Sequence, residues 1–422
     1  MKVYKFFLHA IFFVYRRILI FSSLCSIFNN IIKGLPWKLA YFDWKISRLN
    51  NPNFQHLKLK HLLKKYFLIA NNSLPKFKSG SVFLENYENK KKLSRQLSNI
   101  NKLPAIESIT FLKNLLNYFQ YFKCFQDYLL IRQCYRKKLI ELQMHSKTLN
   151  PDALRACIEL DQLDIAEKFI LTKKKKMFDK KQILEIYNYI NLLKKIPYKK
   201  FYQKKNNKDC KNYPNIICNS SIIVIGPAPK KRALRMQRGQ IIVKTNEIKK
   251  QYKNKVISYY NGGTVEKYSA DIEKVLPTLL FSCFKTKSSF YSLILKIWGK
   301  NYNTRIYNNL KNILLNKYGA SNIQNIIYDL LIYKPKKIFL TGITFFISKK
   351  HYKKNYFRSG RGMSLTAQSI RTHEPFSNFL FIKNLWKRKI IEVEKEVADI
   401  LKLSESKFAI KLDQKYGKII FY

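Results

Sequence analysis

Residues 222–246 read IIVIGPAPKKRALRMQRGQIIVKTN. Four β-branched residues, Ile222, Ile223, Val224 and Ile225, run into Gly226-Pro227-Ala228-Pro229, and a second run, Ile241-Ile242-Val243, ends on Lys244-Thr245-Asn246. Apolar runs this short, bounded by Gly and Pro, predict buried parallel strands whose C-terminal ends open into loops. An open α/β sheet takes its ligand at that edge.

Downstream, the same pattern predicts strands at 256–260, 277–283 and 337–340 and helices at 288–298 and 322–333. A closing helix is expected over 377–403 and a last strand at 408–412. Regular β-α alternation implies a mostly parallel sheet with helices on both faces. Upstream, Leu112, Leu115, Leu116, Phe119, Phe122, Phe125 and Leu129 recur at spacings of three and four. They predict one long amphipathic helix over 111–144. Asn150-Pro151 reads as a helix start, a capping side chain followed by proline at the first helical position. Helices at 152–160, 165–173 and 180–195 follow.

The organisation expected is an apolar segment at 1–34, a basic, partly helical region at 35–104 and a helical accessory region at 105–200. A basic linker at 201–215 and an α/β domain at 216–422 complete it. In the first segment Arg16 and Arg17 interrupt the apolar run, short of the about 20 clean residues a bilayer span needs. No small-x-small cleavage site follows it. It reads either as an interfacial anchor with its basic residues at head-group level or as a buried helix, with a type II membrane anchor as a third reading.

Of 422 residues, 81 are Lys or Arg and 26 Asp or Glu, a net charge of +55. Such a balance points to an anionic partner: nucleic acid, an acidic lipid surface or a phosphorylated or carboxylated substrate. The joint abundance of Lys, Asn, Ile, Tyr and Phe is also what an AT-rich coding sequence produces, so charge alone does not choose among them. Seven irregularly spaced cysteines, with no Cys-x-x-Cys, indicate neither a disulfide framework nor a zinc site, and a reducing compartment is the default.

No G-x-G-x-x-G or G-x-x-x-x-G-K-[ST] is present, which sets aside dinucleotide and P-loop readings. Gly226 allows close backbone approach, and the loop through Ala228 is expected either to present N–H groups to phosphate or to be a tight turn. Asn246 and Asn261, each closing a strand, offer amides that can read sugar hydroxyls. The strand at 337–340 ends on Thr341-Gly342-Ile343-Thr344-Phe345-Phe346, ahead of a basic, aromatic stretch containing Tyr352. That stretch reads as a lid in which Tyr352 steadies a leaving group, or as an aromatic surface anchor. His373 is suited to taking a proton from a hydroxyl at neutral pH, and equally to capping; Glu374 either orients it or favours a helix N-terminus.

Taken in order, these landmarks resemble the bacterial lipooligosaccharide sialyltransferases and, more remotely, the eukaryotic Golgi sialyltransferases. The bacterial family's Gly-Asn-Gly-Pro-Ser loop is met by Gly226-Pro227-Ala228-Pro229-Lys230, its Arg-Cys-Asn by Lys244-Thr245-Asn246 and its Tyr-Asn by Tyr260-Asn261. Its Ile-Tyr-Leu-Ser-Gly-Ile-Asp-Phe-Tyr resembles 338–346, Tyr352 stands where a second Tyr is expected, and Ser321-Asn322 aligns with a Thr-Ser pair. His373 stands, like the family's catalytic His, before a helix leading into the last expected β segment.

The resemblance covers about 216–422 and implies a Rossmann-like domain of the sialyltransferase GT-A variant type with a lid. It implies metal-independent, inverting transfer of sialic acid or a related acidic sugar from a CMP-sugar to a glycan or glycolipid hydroxyl, in bacterial surface glycan, lipopolysaccharide or capsule synthesis. His373 would be the base and Tyr352 would steady the departing phosphate. Gly226, Ala228, Asn246, Asn261, Ser321, Asn322, Gly342 and Thr344 would line the donor site. The expected location is cytoplasmic, peripheral to the inner membrane. Pro227 departs from the family in removing an amide and a backbone donor, and Phe346 in lacking a hydroxyl. The Golgi H-x-x-x-x-E signature ends here on Asn378. The competing readings are a basic nucleic-acid-binding protein, for which no recognition motif is evident, and a noncatalytic protein that keeps the fold.

Overall fold

A computed structural model describes residues 109, 112–113, 116, 120, 125–173, 180–196, 212–228, 239–248, 255–285, 298, 301–307, 313–315, 321–348 and 373–416. The expected anchor at 1–34 and the region at 35–104 lie outside these. The chain divides into two compact units, Met1–Tyr135 and Arg136–Tyr422. Helix α1, Phe125–His145, runs from the end of the first into the second.

In the second unit, β1 (Ser221–Ile225), β2 (Ile241–Thr245), β3 (Val256–Tyr260), β4 (Phe281–Phe284) and β5 (Thr304–Ile306) step outward in one direction. Strands β6 (Lys337–Thr341) and β7 (Glu392–Val393) lie on the other side of β1, giving the order β5-β4-β3-β2-β1-β6-β7. Every pairing is parallel. This is an α/β, Rossmann-like sheet, and the direction of winding reverses between β1 and β6. The central strand is clamped in register on both sides, Ile222 facing Ile241 and Ile338.

Adjacent residues of β3 serve opposite faces, as strand geometry requires. Tyr260 stacks on Phe284 at 5.1 Å and joins Val265, Ile272, Val275 and Trp298 under helix α6, Gly262–Val275. The other face carries α5 (Tyr213–Cys218) and α7 (Asn322–Leu331). There the Tyr213 and Tyr259 hydroxyls lie 2.7 Å apart, Tyr259 donates to Asp329 at 2.7 Å, and Arg305 forks onto Asp329 at 2.6 and 3.1 Å. Arg305 also donates to the Tyr333 hydroxyl and lies 4.0 Å over the Tyr213 ring. A buried ion pair satisfied this fully holds α7 against β3 and β5.

Helices α2 (Pro151–Glu159), α3 (Leu163–Thr172) and α4 (Lys180–Lys194) fall within a few residues of their predicted limits, and Asn150 caps α2. They belong to the same compact unit as the sheet. Tyr189 of α4 stacks on Phe381 at 5.6 Å in α8, Pro375–Lys387. Arg388 then binds the Leu193 carbonyl and the Asp161 carboxylate, at 2.9 and 2.5 Å.

Three expectations for the downstream elements are corrected. Residues 408–412 are not a strand but part of helix α10, Glu405–Tyr416, whose Phe408, Ala409, Leu412 and Tyr416 are buried at helical spacing. The helix expected over 377–403 is broken: α8 stops at Lys387, β7 follows, and α9 occupies Lys395–Leu401. The break is a Schellman turn in which Lys389 takes φ 55° and Ile390 N–H reaches the Leu385 carbonyl at 3.0 Å. Residues 277–283 begin as a 3₁₀ turn, Leu276–Thr278, and only Phe281–Phe284 is strand. Most of the helix expected at 288–298 lies outside the described residues.

Candidate functional site

The reversal point is closed by two glycines. A Cβ on Gly226 would lie 2.3 Å from the Gly342 carbonyl oxygen and 2.4 Å from Ile343 Cγ2. Gly342, at φ +69°, is the complementary half of this approach. Gly226 N–H donates to the Thr341 carbonyl at 2.8 Å and Ala228 N–H to the Gly342 carbonyl at 2.9 Å. Pro227 has no N–H. In the described part of the loop after β1, residues 226–228, the N–H groups of Gly226 and Ala228 are therefore spent on the loop after β6, as in a tight turn. That second loop is fixed in turn by Glu394, which accepts from Gly342 N–H at 2.6 Å and from the Thr341 hydroxyl.

Beyond Gly342 the chain passes half-buried Thr344 and enters a strained turn. Phe345 and Phe346 stand at φ 46° and 69°, a conformation that costs bulky residues about 1–3 kcal/mol each. The turn is held from α10. The Tyr416 hydroxyl and the Lys415 ammonium both donate to the Phe346 carbonyl, at 2.9 and 2.7 Å, and Lys415 also donates to the Ser348 carbonyl.

Asn246 and Asn261 come together at the ends of β2 and β3. Asn246 turns into the left-handed region, φ 53°, which asparagine tolerates. Its Oδ1 accepts from Asn261 N–H at 3.2 Å, while Asn261 Oδ1 caps α6 through Thr264 N–H at 2.8 Å. Among the described residues neither side-chain NH₂ has an acceptor, so both amides keep a donor at this edge.

Ser321 and Asn322 begin α7. Asn322 is a brace rather than an open contact: it accepts from the Tyr307 hydroxyl at 2.9 Å and donates to the Tyr259 carbonyl at 3.3 Å. Ser321 precedes the helix without a side-chain capping bond, its hydroxyl turning to Gln324 Oε1. Helix N-termini carry unpaired N–H groups and the positive end of the helix dipole, an arrangement that attracts anions. Ser321 N–H donates to Asn378 Oδ1 at 2.8 Å, and Gln324 Nε2 donates to the Asn378 carbonyl at 3.2 Å. The starts of α7 and α8 thereby meet at the C-terminal edge of the sheet.

His373, half-buried, stands one residue before the N-cap of α8. Glu374 is that cap: its buried carboxylate accepts from Phe376 N–H at 3.1 Å and from Ser377 N–H. The residue expected either to orient the imidazole or to favour a helix start does the second. Deeper in the same turn, Ser377 Oγ donates to Glu159 Oε1 at 2.6 Å, and Arg136 joins Glu159 to Glu405.

Tyr352, and with it the basic stretch 349–362, lies outside the described residues. Lys415, Tyr416 and Glu394 belong to this edge and carry no mark in the sequence, because each acts on a segment at least 50 positions away. Asn378, marked there only as a departure from the Golgi signature, acts on Ser321 in the same way. Among the described residues no group of three His, Cys, Asp or Glu is placed to hold a metal ion. No family model, curated protein or solved structure matches the chain.

Proposed function

We propose that the chain is an inverting glycosyltransferase that moves sialic acid or a related acidic sugar from a CMP-linked donor to a glycan hydroxyl without a metal ion. The observation that carries this reading is the bond between Ser321 N–H and Asn378 Oδ1. It sets the start of α7, which has no side-chain cap, beside the helix that His373 introduces.

In this reading the His373 imidazole accepts the proton of the acceptor hydroxyl as its oxygen attacks the anomeric carbon. The bond from that carbon to the CMP phosphate breaks on the opposite side, which inverts the centre. Charge appearing on the phosphate is met by the first-turn N–H groups of α7, with Tyr352 assigned to the same oxygens by the family resemblance. The amides of Asn246 and Asn261 serve the nucleoside. Thr344, Gly226, Ala228 and Gly342 shape the floor, since their backbone is already committed. The resemblance also motivates the proposed setting, synthesis of bacterial surface glycan at the inner membrane. Among the described residues no helix is long and apolar enough to cross a membrane.

Purified protein incubated with a panel of CMP- and UDP-linked sugars is expected to hydrolyse a CMP-linked acidic sugar, and His373→Ala is expected to lose that turnover. Absence of turnover with every donor, together with tight salt-dependent binding of RNA or DNA, would replace this reading with the nucleic-acid one.

A further inference from the structure

Most partly buried cations of the second unit sit against carboxylates: Arg305 against Asp329, Arg136 against Glu405, Lys194 against Asp164 and Glu167, Lys244 against Glu247. Lys415 does not. Its half-buried ammonium meets two carbonyls, Phe346 and Ser348, and lies 4.8 Å from the centre of the Tyr416 ring. Carbonyls orient an ammonium without cancelling its charge, and among the described residues no carboxylate lies within ion-pair distance of it. Its one-turn neighbour on α10 is Lys411, a like charge. Burial, with no opposite charge to offset it, lowers its pKa from the ordinary lysine value to about 8.

Two of the three N–H donors are committed, which leaves one donor and a full positive charge. The turn that supplies the carbonyls is strained at both Phe345 and Phe346 and follows directly from Gly342 at the reversal point. The strained turn and the desolvated ammonium coincide: among the described residues no carboxylate pairs with Lys415, and a methylene chain of the same length would fill the space at lower desolvation cost.

We propose that Lys415 is an anion contact of this site, its ammonium donating to a phosphoryl oxygen of the nucleotide donor. The assignment rests on the donor reading given above. It makes the C-terminal helix, by way of the Phe345–Phe346 turn, part of the binding site and not only of the core.

Calorimetric titration of the full chain with CMP, cytidine and inorganic phosphate tests it. The wild type should bind CMP more tightly than cytidine, and Lys415→Met should weaken CMP by about tenfold or more while leaving cytidine unchanged, as expected for loss of one charge-assisted contact. Lys415→Arg should recover part of the loss. In the wild type, CMP affinity should fall as pH rises through about 8, and this dependence should be missing from Lys415→Met. Undiminished CMP binding by a folded Lys415→Met would overturn the Lys415 assignment and leave the donor reading standing. Should Lys415→Met fail to fold, a flat pH profile in the wild type overturns the assignment equally. Failure of the wild type to bind CMP would overturn the donor reading itself.

Discussion

Ser321 donates its backbone N–H to Asn378 Oδ1 across 2.8 Å, so that one buried amide ties the first turn of α7 to the first turn of α8. The same Asn378 accepts from Gln324 through its carbonyl and donates to the Glu374 carbonyl. Asn378→Leu should strand the Ser321 N–H, and with it the fit between the two helices, at a cost of about 1–3 kcal/mol. Chemical denaturation measures the loss. Donor hydrolysis should fall further than stability alone explains, because His373 is carried on the displaced turn.

Gly226→Ala places a methyl group 2.3 Å from the Gly342 carbonyl oxygen, a contact neither backbone can relieve without parting β1 from β6. The expected result is a protein that does not accumulate in folded form. Gly239→Ala is the informative control: it has φ +86° but nothing within 4 Å of the added Cβ. It should cost only the roughly 1–2 kcal/mol of the left-handed conformation. Thermal melting of the two variants separates close approach from backbone strain.

Arg305 and Asp329 are both buried, and the pair also anchors Tyr259 and Tyr333. Asp329→Asn or Arg305→Met should each cost about 3–5 kcal/mol, since either leaves an uncompensated partner in the core. The double replacement should be less damaging than the sum, and a double-mutant cycle reads the difference.

Lys415 gives the fold a pH dependence with a defined sign. Its folded pKa is about 8 against an ordinary 10.5, so between those values the unfolded chain holds a proton that the folded chain has released. Stability from this group therefore rises with pH across that window, and below it the cost of burying the charge is present in full. The slope of unfolding free energy against pH over that range should be smaller in Lys415→Met than in the wild type.

The central strands were legible because β1, β2 and β3 are short β-branched or aromatic runs ending on Gly, Asn or a turn. The edge strands were not. Thr304-Arg305-Ile306 contains a buried arginine, and Glu392-Val393 is two residues long, so neither carries an apolar signature. Helix ends were blurred for a related reason. Asp161, Lys195 and Lys389 take the left-handed stop position usually left to glycine, and nothing in the sequence marks them. Phe408 to Leu412 is too short for its apolar pattern to distinguish a strand from a helix. At the site, Asn246, Asn261 and His373 were readable as polar residues at element ends. The commitment of the Gly226 and Ala228 N–H groups was not, because it depends on Thr341 and Gly342, more than 110 positions away.

The most direct test is the rate of hydrolysis of a CMP-linked acidic sugar by wild type and by His373→Ala, with folding of both verified by circular dichroism. Turnover in the wild type that drops by about 10²-fold or more in the variant is the expected result, matching the loss of a general base. Equal rates in the two proteins, or no turnover in the wild type with any CMP-linked sugar, would contradict it.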